Sequence, residues 1–102
     1  MDLRRLQNRL QAFADARDWN QFHSPKNLAM ALSVEAAELQ EIFQWMTEAQ
    51  SRELSASQRI ALADEIADVQ IYLARIADMA NIDIEAAVEK KLVKNAMKYP
   101  VI

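Results

Sequence analysis

The sequence predicts an all-α protein. Apolar residues recur at helical spacing in four segments, and no run shows the period-two alternation of a half-buried strand. Each segment also opens on an Asp or Ser that can accept from free backbone amides. The stops are marked as well, although the chain has no glycine: Asn81 and Pro100 stand where two of the segments end.

Asp2 caps a first helix running to about Arg17, with Leu3, Leu6, Leu10 and Phe13 on one face. The stretch DWNQFHSPKN breaks it. Ser24 followed by Pro25 starts a second helix, a side-chain oxygen for free amides and then proline at the first helical position. That helix reaches about Met46 and is followed by the polar connection TEAQSRELSASQ. Ser55 or Ser57 caps a long third helix to about Ala80, and Asn81 ends it, asparagine being the best substitute for glycine in the left-handed conformation. Asp83 caps a fourth helix from Ile84 to about Met97, closed by YPVI. No internal repeat, low-complexity stretch or boundary divides the chain, so residues 1–102 read as one domain, a four-helix bundle-like protomer.

Composition removes several classes of function. The formal net charge is -3, from 15 acidic and 12 basic residues, and the long basic face of a duplex-binding protein is missing. Cysteine is absent, which excludes a disulfide framework and a thiolate metal site and fits a reducing compartment. The N-terminal MDLRRLQNRLQAF has no apolar signal-peptide core, and no run approaches the roughly 20 apolar residues that span a bilayer. The expectation is a soluble cytoplasmic protein with neither nucleic acid nor membrane as partner. Without glycine there is no Walker-type or Rossmann-type phosphate loop, so any phosphate must be held by side chains and metal. The single histidine, His23, excludes HExxH zinc sites and paired Glu-x-x-His di-iron sites.

The carboxylates carry the chemistry. A helix turns about 100° per residue, which places Leu28, Ala31, Leu39, Ile42 and Met46 within about 40° of Glu35. Ser33, Gln40 and Gln44 mark the solvent side. Glu35 therefore sits in the centre of the apolar stripe, with Glu38 about 60° to one side. The third helix repeats the arrangement: Tyr72, Ile76 and Val69 surround Glu65, and Asp68 is offset as Glu38 is. Glu41, Glu48, Asp64 and Asp78 fit an ordinary solvated face. Glu35 and Glu65 do not, because an unpaired carboxylate in apolar surroundings must neutralise or find a partner. Two readings stay open: a buried ion pair with Arg or Lys, or a site for a hard cation. Four carboxylates suit Mg²⁺, with Mn²⁺ as a substitute.

The fourth helix adds the opposite sign. Its inward face begins with Ile84, Ala87 and Val88 and continues as Lys91, Asn95 and Lys98. Lysines near a helix C-terminus complement its dipole, which explains Lys94 and Lys98. The dipole gives no reason for Asn95, a weak helix former. Acids with metal on two helices and Lys with Asn on a third suit a polyphosphate chain.

Together SVEAAELQEIFQW, DEIADVQIYLARIA and KKLVKNAMKYP resemble the all-α nucleoside triphosphate pyrophosphohydrolases of the MazG-like superfamily, and within it the small dCTP-pyrophosphatase-like branch. The likeness extends upstream through WNQFHSPKNLAMAL and covers about Trp19 to Pro100. ExxE alone is a weak motif; ExxE and ExxD on consecutive helices, with FQW, FHSPKNLA and KNxxKYP, form a specific combination. The resemblance implies Mg²⁺-dependent hydrolysis of a nucleoside triphosphate between the α and β phosphates. By the same carry-over Glu35, Glu38, Glu65 and Asp68 hold the metal, and Glu38, with Glu35 beside it, helps activate water. Lys91 and Asn95, assisted by Lys98, contact phosphate or sugar, and Tyr72 touches the sugar or orients an acid. His23, Phe22, Trp19 and Trp45 form the base pocket; read without the family, the aromatics are core or interface anchors. One departure stands out. Many relatives open the first acid turn with two adjacent glutamates, where this chain has Val34 before Glu35, so one ion or two is compatible with the set.

Members of the family form dimers, often paired into tetramers, with neighbouring chains completing the base pocket. The sequence points the same way: Met30, Val34 and Ala37 lie away from the Glu35 stripe, and a helix apolar nearly all round is buried on more than one side. The expected role is cleaning of the deoxynucleotide pool, with dCTP or dATP, or modified forms of them, as substrate. The alternatives are a non-enzymatic helical oligomerisation or adaptor module, whose inward acids form intersubunit salt bridges, and a phosphoribosyl-ATP pyrophosphohydrolase-like activity.

Overall fold

The computed structural model describes residues Met1–Ile102. It is all-helical: α1 (Leu3–Ala16), α2 (Pro25–Phe43), the single turn α3 (Glu48–Ser51), α4 (Ala56–Met79) and α5 (Ile84–Lys98). The expected starts hold. Asp2, Ser24, Ser55 and Asp83 each accept a hydrogen bond from the amide three residues on. Ser55, rather than Ser57, is the cap of α4, and the Ser55 amide in turn donates to Gln58 Oε1 at 2.8 Å.

Two helix ends use the same device without glycine. Asn81 is left-handed, with φ 56°, and the amides of Asn81 and Ile82 donate to the carbonyls of Asp78 and Ala77. Asp18, with φ 54°, closes α1 identically: the Asp18 and Trp19 amides donate to the Asp15 and Ala14 carbonyls. This second turn reverses the chain just where Trp19 begins the connection to α2. In two places the structure departs from the sequence reading. Helix α2 ends at Phe43, short of Met46, and the polar connection contains α3. Thr47 and Gln50 form a reciprocal capping box there, which starts a helix that Arg52 ends after one turn.

α2 and α4 pack along each other, and α1 lies against α4. Gln7 Nε2 donates to the Ala74 carbonyl at 2.9 Å, and Arg4 pairs with Asp78 at 2.8 Å, so α1 is tied to the C-terminal half of α4. The buried residues are few: Gln7, Ala14, Leu28, Ala74, Arg75 and Ala77. That is a small core for a chain that is 52% hydrophobic. Met30 and Val34 on α2, Ile60 and Ile66 on α4, and Val88, Leu92 and Val93 on α5 are all exposed.

The inward face expected for the last helix is corrected accordingly. No residue of α5 is buried: Ile84 and Asn95 on the expected face are half-buried, but Val88 between them is about half exposed at 49%, because α5 does not pack extensively on another helix of the protomer. The four long helices are present, but α5 stands apart from the packed set formed by α1, α2 and α4. No helix is long and apolar enough to cross a membrane.

Candidate metal centre and adjoining cavity

The packing of α2 on α4 brings the acid turns together. Glu35, Glu38 and Glu65 each place a carboxylate oxygen within 4.8 Å of the others. The apolar stripe explains how. Leu28 is buried, and Ala31, Leu39, Ile42 and Met46 are half-buried around Glu35, so the face that seeks the core carries the acid with it. Glu65 and Asp68 ride on α4 in the same way, both half-buried, while Glu38 is exposed at the rim.

Neither carboxylate at the centre meets a cation or another residue's donor. Glu35 Oε2 and Glu65 Oε2 are buried and accept no hydrogen bond from a backbone amide or a neutral or basic side chain. No Arg or Lys pairs with them, which leaves the ion-pair reading without support: the chain's ion pairs are Arg4–Asp78 and Arg52–Glu48. A carboxyl hydrogen bond with Glu65, formed when one of the two is protonated, raises the Glu35 carboxyl to about 7, helped by burial, by hydrogen bonding and charge from Glu38, and by the charge of Asp68. Like charges this close resist ionising together, so below about pH 7 the cation-free cluster holds a proton shared between Glu35 and the acids around it. Two orphaned buried oxygens among three convergent carboxylates fit a hard divalent cation. Asp68, the fourth acid of the expected set, stands outside the close triad but near enough for its charge to act on Glu35.

Asp68 also faces the other way, into a cavity of about 490 Å³ that α1, the connection after it, and α4 enclose. Trp19, His23, Tyr72 and Arg75 line it, with Leu28 from α2. Edge-on contact with Phe13, 5.4 Å between ring centres, orients Trp19, and the Arg17 guanidinium lies over Phe13 at 3.4 Å. His23 lies 5.8 Å from Trp19, centre to centre, and its Nδ1 is buried without a partner. Burial, and then the charge of Arg75, lower the His23 pKa, so the ring is neutral at pH 7. Burial and the charges of Glu35 and Asp68 raise that of Tyr72, whose hydroxyl keeps its proton.

Of the twelve residues singled out in the sequence, seven stand at this juncture: Glu35, Glu38, Glu65, Asp68, Tyr72, Trp19 and His23. The other five do not. Phe22 is 60% exposed and Trp45 is 89% exposed, beyond the end of α2. Lys91 and Lys98 are exposed and Asn95 half-buried on α5, and none of them joins the triad or lines the cavity. The sequence reading missed Arg75, which is buried although charged, with only 3% of its surface exposed. Its position offered a signal: it follows Tyr72 by three residues and Asp68 by seven, spacings that keep it on their side of α4.

Residues 30–102 match the model of the MazG-like family. The chain belongs to that family. Among curated relatives, dCTP pyrophosphatase 1 of Rattus norvegicus is 42% identical over 102 residues, and the Homo sapiens protein is 43% identical over 101. These alignments cover 98% and 97% of this chain but 58% of each mammalian protein, so the chain spans little more than half the length of the curated relatives it matches. The crystal structure of a pyrophosphatase from Archaeoglobus fulgidus agrees in fold with a TM-score of 0.91 at 41% identity, covering 99% of this chain and 94% of that one.

Proposed function

We propose that this MazG-like chain hydrolyses deoxynucleoside triphosphates between the α and β phosphates, giving the monophosphate and pyrophosphate. The observation that carries the reading is the orphaned pair Glu35 and Glu65, with Glu38, beside a cavity lined by Trp19 and His23. A charge-dense acid site next to an aromatic cavity suits a substrate that is polyanionic at one end and planar at the other. The names of the relatives, dCTP pyrophosphatase and pyrophosphatase, support the same chemistry.

Glu35, Glu38, Glu65 and Asp68 would hold Mg²⁺, with Mn²⁺ as a substitute. When bound, Mg²⁺ supplies charge neutralisation at the phosphates and a lowered cost of ionising water. Glu38, exposed at the rim of the triad, accepts the proton of the attacking water. A new P–O bond forms to the water oxygen, the bridging P–O bond between the α and β phosphates breaks, and pyrophosphate departs. Trp19 and His23 bind the base, and Tyr72, kept protonated, donates toward the sugar or an acid between the two halves of the site.

Lys91, Asn95 and Lys98 belong to the same reading through a second copy of the chain. The exposed apolar residues of α2, α4 and α5 favour a dimer or a dimer of dimers, in which α5 of one copy brings its cations to the acids of another. Trp45 and Phe22 would likewise close the base pocket only within that assembly. The absence of cysteine is in keeping with a cytoplasmic role in cleaning the deoxynucleotide pool, with dCTP or dATP as preferred substrate. The test is a panel of dNTPs with Mg²⁺, following monophosphate and pyrophosphate by chromatography. Cleavage at the α–β bond is expected; free phosphate as the first product, or no turnover above a blank, would overturn the reading.

A further inference from the structure

Arg75 is the one buried charge in the cavity wall for which neither packing nor the metal site accounts. It sits on α4, beyond Tyr72 and Asp68, in a position that an apolar side chain could fill. Its guanidinium instead reaches out of the helix. Nη1 donates to Gln11 Oε1 on α1, and Nη2 donates to Asn20 Oδ1 at 3.0 Å, in the connection that carries Trp19 and His23. Gln11 Nε2 donates to the same Asn20 oxygen at 3.0 Å and to Asp15 Oδ1 at 2.8 Å, and Asn20 Nδ2 also donates to Asp15. The positive charge is thus balanced at one remove: amide oxygens take the direct bonds, and Asp15 stands behind the amides. Asp15 is held below the usual carboxylate range by those bonds from Asn20 and Gln11, with a contribution from Arg75 itself. The Nε of Arg75 is buried without a partner.

A buried guanidinium that loses its acceptors is costly, so the connection cannot swing away from α4 without exposing or orphaning that charge. The planar fork further fixes the direction in which Gln11 and Asn20 are held. Asn20 is next in sequence to Trp19 and three residues from His23, while Arg75 is on the helix of Asp68 and Tyr72. The network therefore joins the wall that meets the base to the helix that meets the triphosphate.

We propose that Arg75 is a specificity-determining positioning residue: by clamping Asn20 and Gln11 to α4 it sets the distance between the Trp19–His23 wall and the acid site, and so determines how strongly the base contributes to substrate recognition. This rests on the pyrophosphohydrolase reading above. It assigns Arg75 no contact with the reacting atoms.

The test compares kcat/KM for the best dNTP of the panel with that for 2-deoxyribose 5-triphosphate, which has no base, in the full chain with Mg²⁺. In Arg75→Met and in Asn20→Ala the ratio between the two substrates should fall about tenfold, through KM rather than kcat. The double variant should fall no further than either single one, since both remove the same clamp. Arg75→Lys, which keeps the charge and loses the fork, should behave as Arg75→Met does. A ratio unchanged while both substrates lose activity in proportion would make Arg75 a packing residue and overturn the proposal, as would full selectivity in Arg75→Lys. If Arg75→Met does not fold by circular dichroism, Asn20→Ala decides by the same ratio. A wild-type chain that cleaves neither substrate overturns the pyrophosphohydrolase reading and this inference with it, a result distinct from an unaltered ratio.

Discussion

Glu35 on α2 and Glu65 on α4 both bury Oε2 without a hydrogen bond from a backbone amide or a neutral or basic side chain, and their contact is the main reason the Glu35 carboxyl rises to about 7. The two helices that contribute most to the fold thus meet around a repulsion that only a proton or a cation relieves.

That repulsion sets a pH dependence. The folded pKa of Glu35 is raised from 4.5 to about 7, so the native state holds a proton that the unfolded chain releases. Between those values the unfolded state binds fewer protons, and stability falls as pH rises. In metal-free protein the melting temperature should therefore drop from pH 4.5 to pH 7 and flatten above it. Glu35→Gln should remove most of the slope, as read by thermal denaturation in EDTA. A wild-type profile flat across that range would show that the acids are not in contact in solution.

Adding Mg²⁺ should reverse the loss. A ligand that binds only the native state at a hundredfold above its Kd stabilises by about 2.7 kcal/mol. Wild-type protein at pH 8 should gain about that much with saturating Mg²⁺, and Glu65→Gln should gain far less. Isothermal calorimetry gives the same comparison directly. Because the ion displaces a proton from the cluster, affinity should also strengthen from pH 6 to pH 8.

The starts of all four long helices were legible in the sequence because a cap is local: one side-chain oxygen, one amide three residues on. The acid pairs were legible because helical spacing places Glu35 among Leu28, Leu39 and Ile42 whatever lies opposite. What escaped depends on neighbours. Helix α3 hides in a polar stretch with no apolar face to announce it, and its capping box is the only trace. Asp18 takes the left-handed turn at φ 54°, a conformation that Asn or Gly signals more strongly. Arg75 reads as a surface charge until α1 and the Asn20 connection are seen to meet it. Periodicity gave α5 an inward face, but periodicity identifies only a face to be covered, and within this protomer it is covered only in part, at Ile84 and Asn95.

Leu28 is the largest fully buried side chain and stands between the acid stripe and the cavity. Leu28→Ala should destabilise the protein by about 2–5 kcal/mol in a denaturant titration, the cost of a core cavity that the helices cannot close. The loss should be the same with or without Mg²⁺, since the substitution leaves the carboxylates in place.

The distribution of cations and acids between α5 and the α2–α4 pair leads to the last prediction. If Lys91 acts on the acid site of another copy, the two halves of each site belong to different chains, and lesions on different chains can complement. Glu38→Gln and Lys91→Ala should each be nearly inactive alone. Mixed after dissociation and reassociation as dimers, equal amounts should give half heterodimers, each with one doubly damaged site and one intact. About a quarter of wild-type activity should return, by the symmetry of a two-fold assembly. If Lys91 instead served its own chain, every site in the mixture would carry one lesion and none of the activity would return. Sedimentation analysis of the same samples should show no monomer, and Val34→Glu together with Val93→Glu, which charge two exposed apolar positions on α2 and α5, should produce one and abolish turnover.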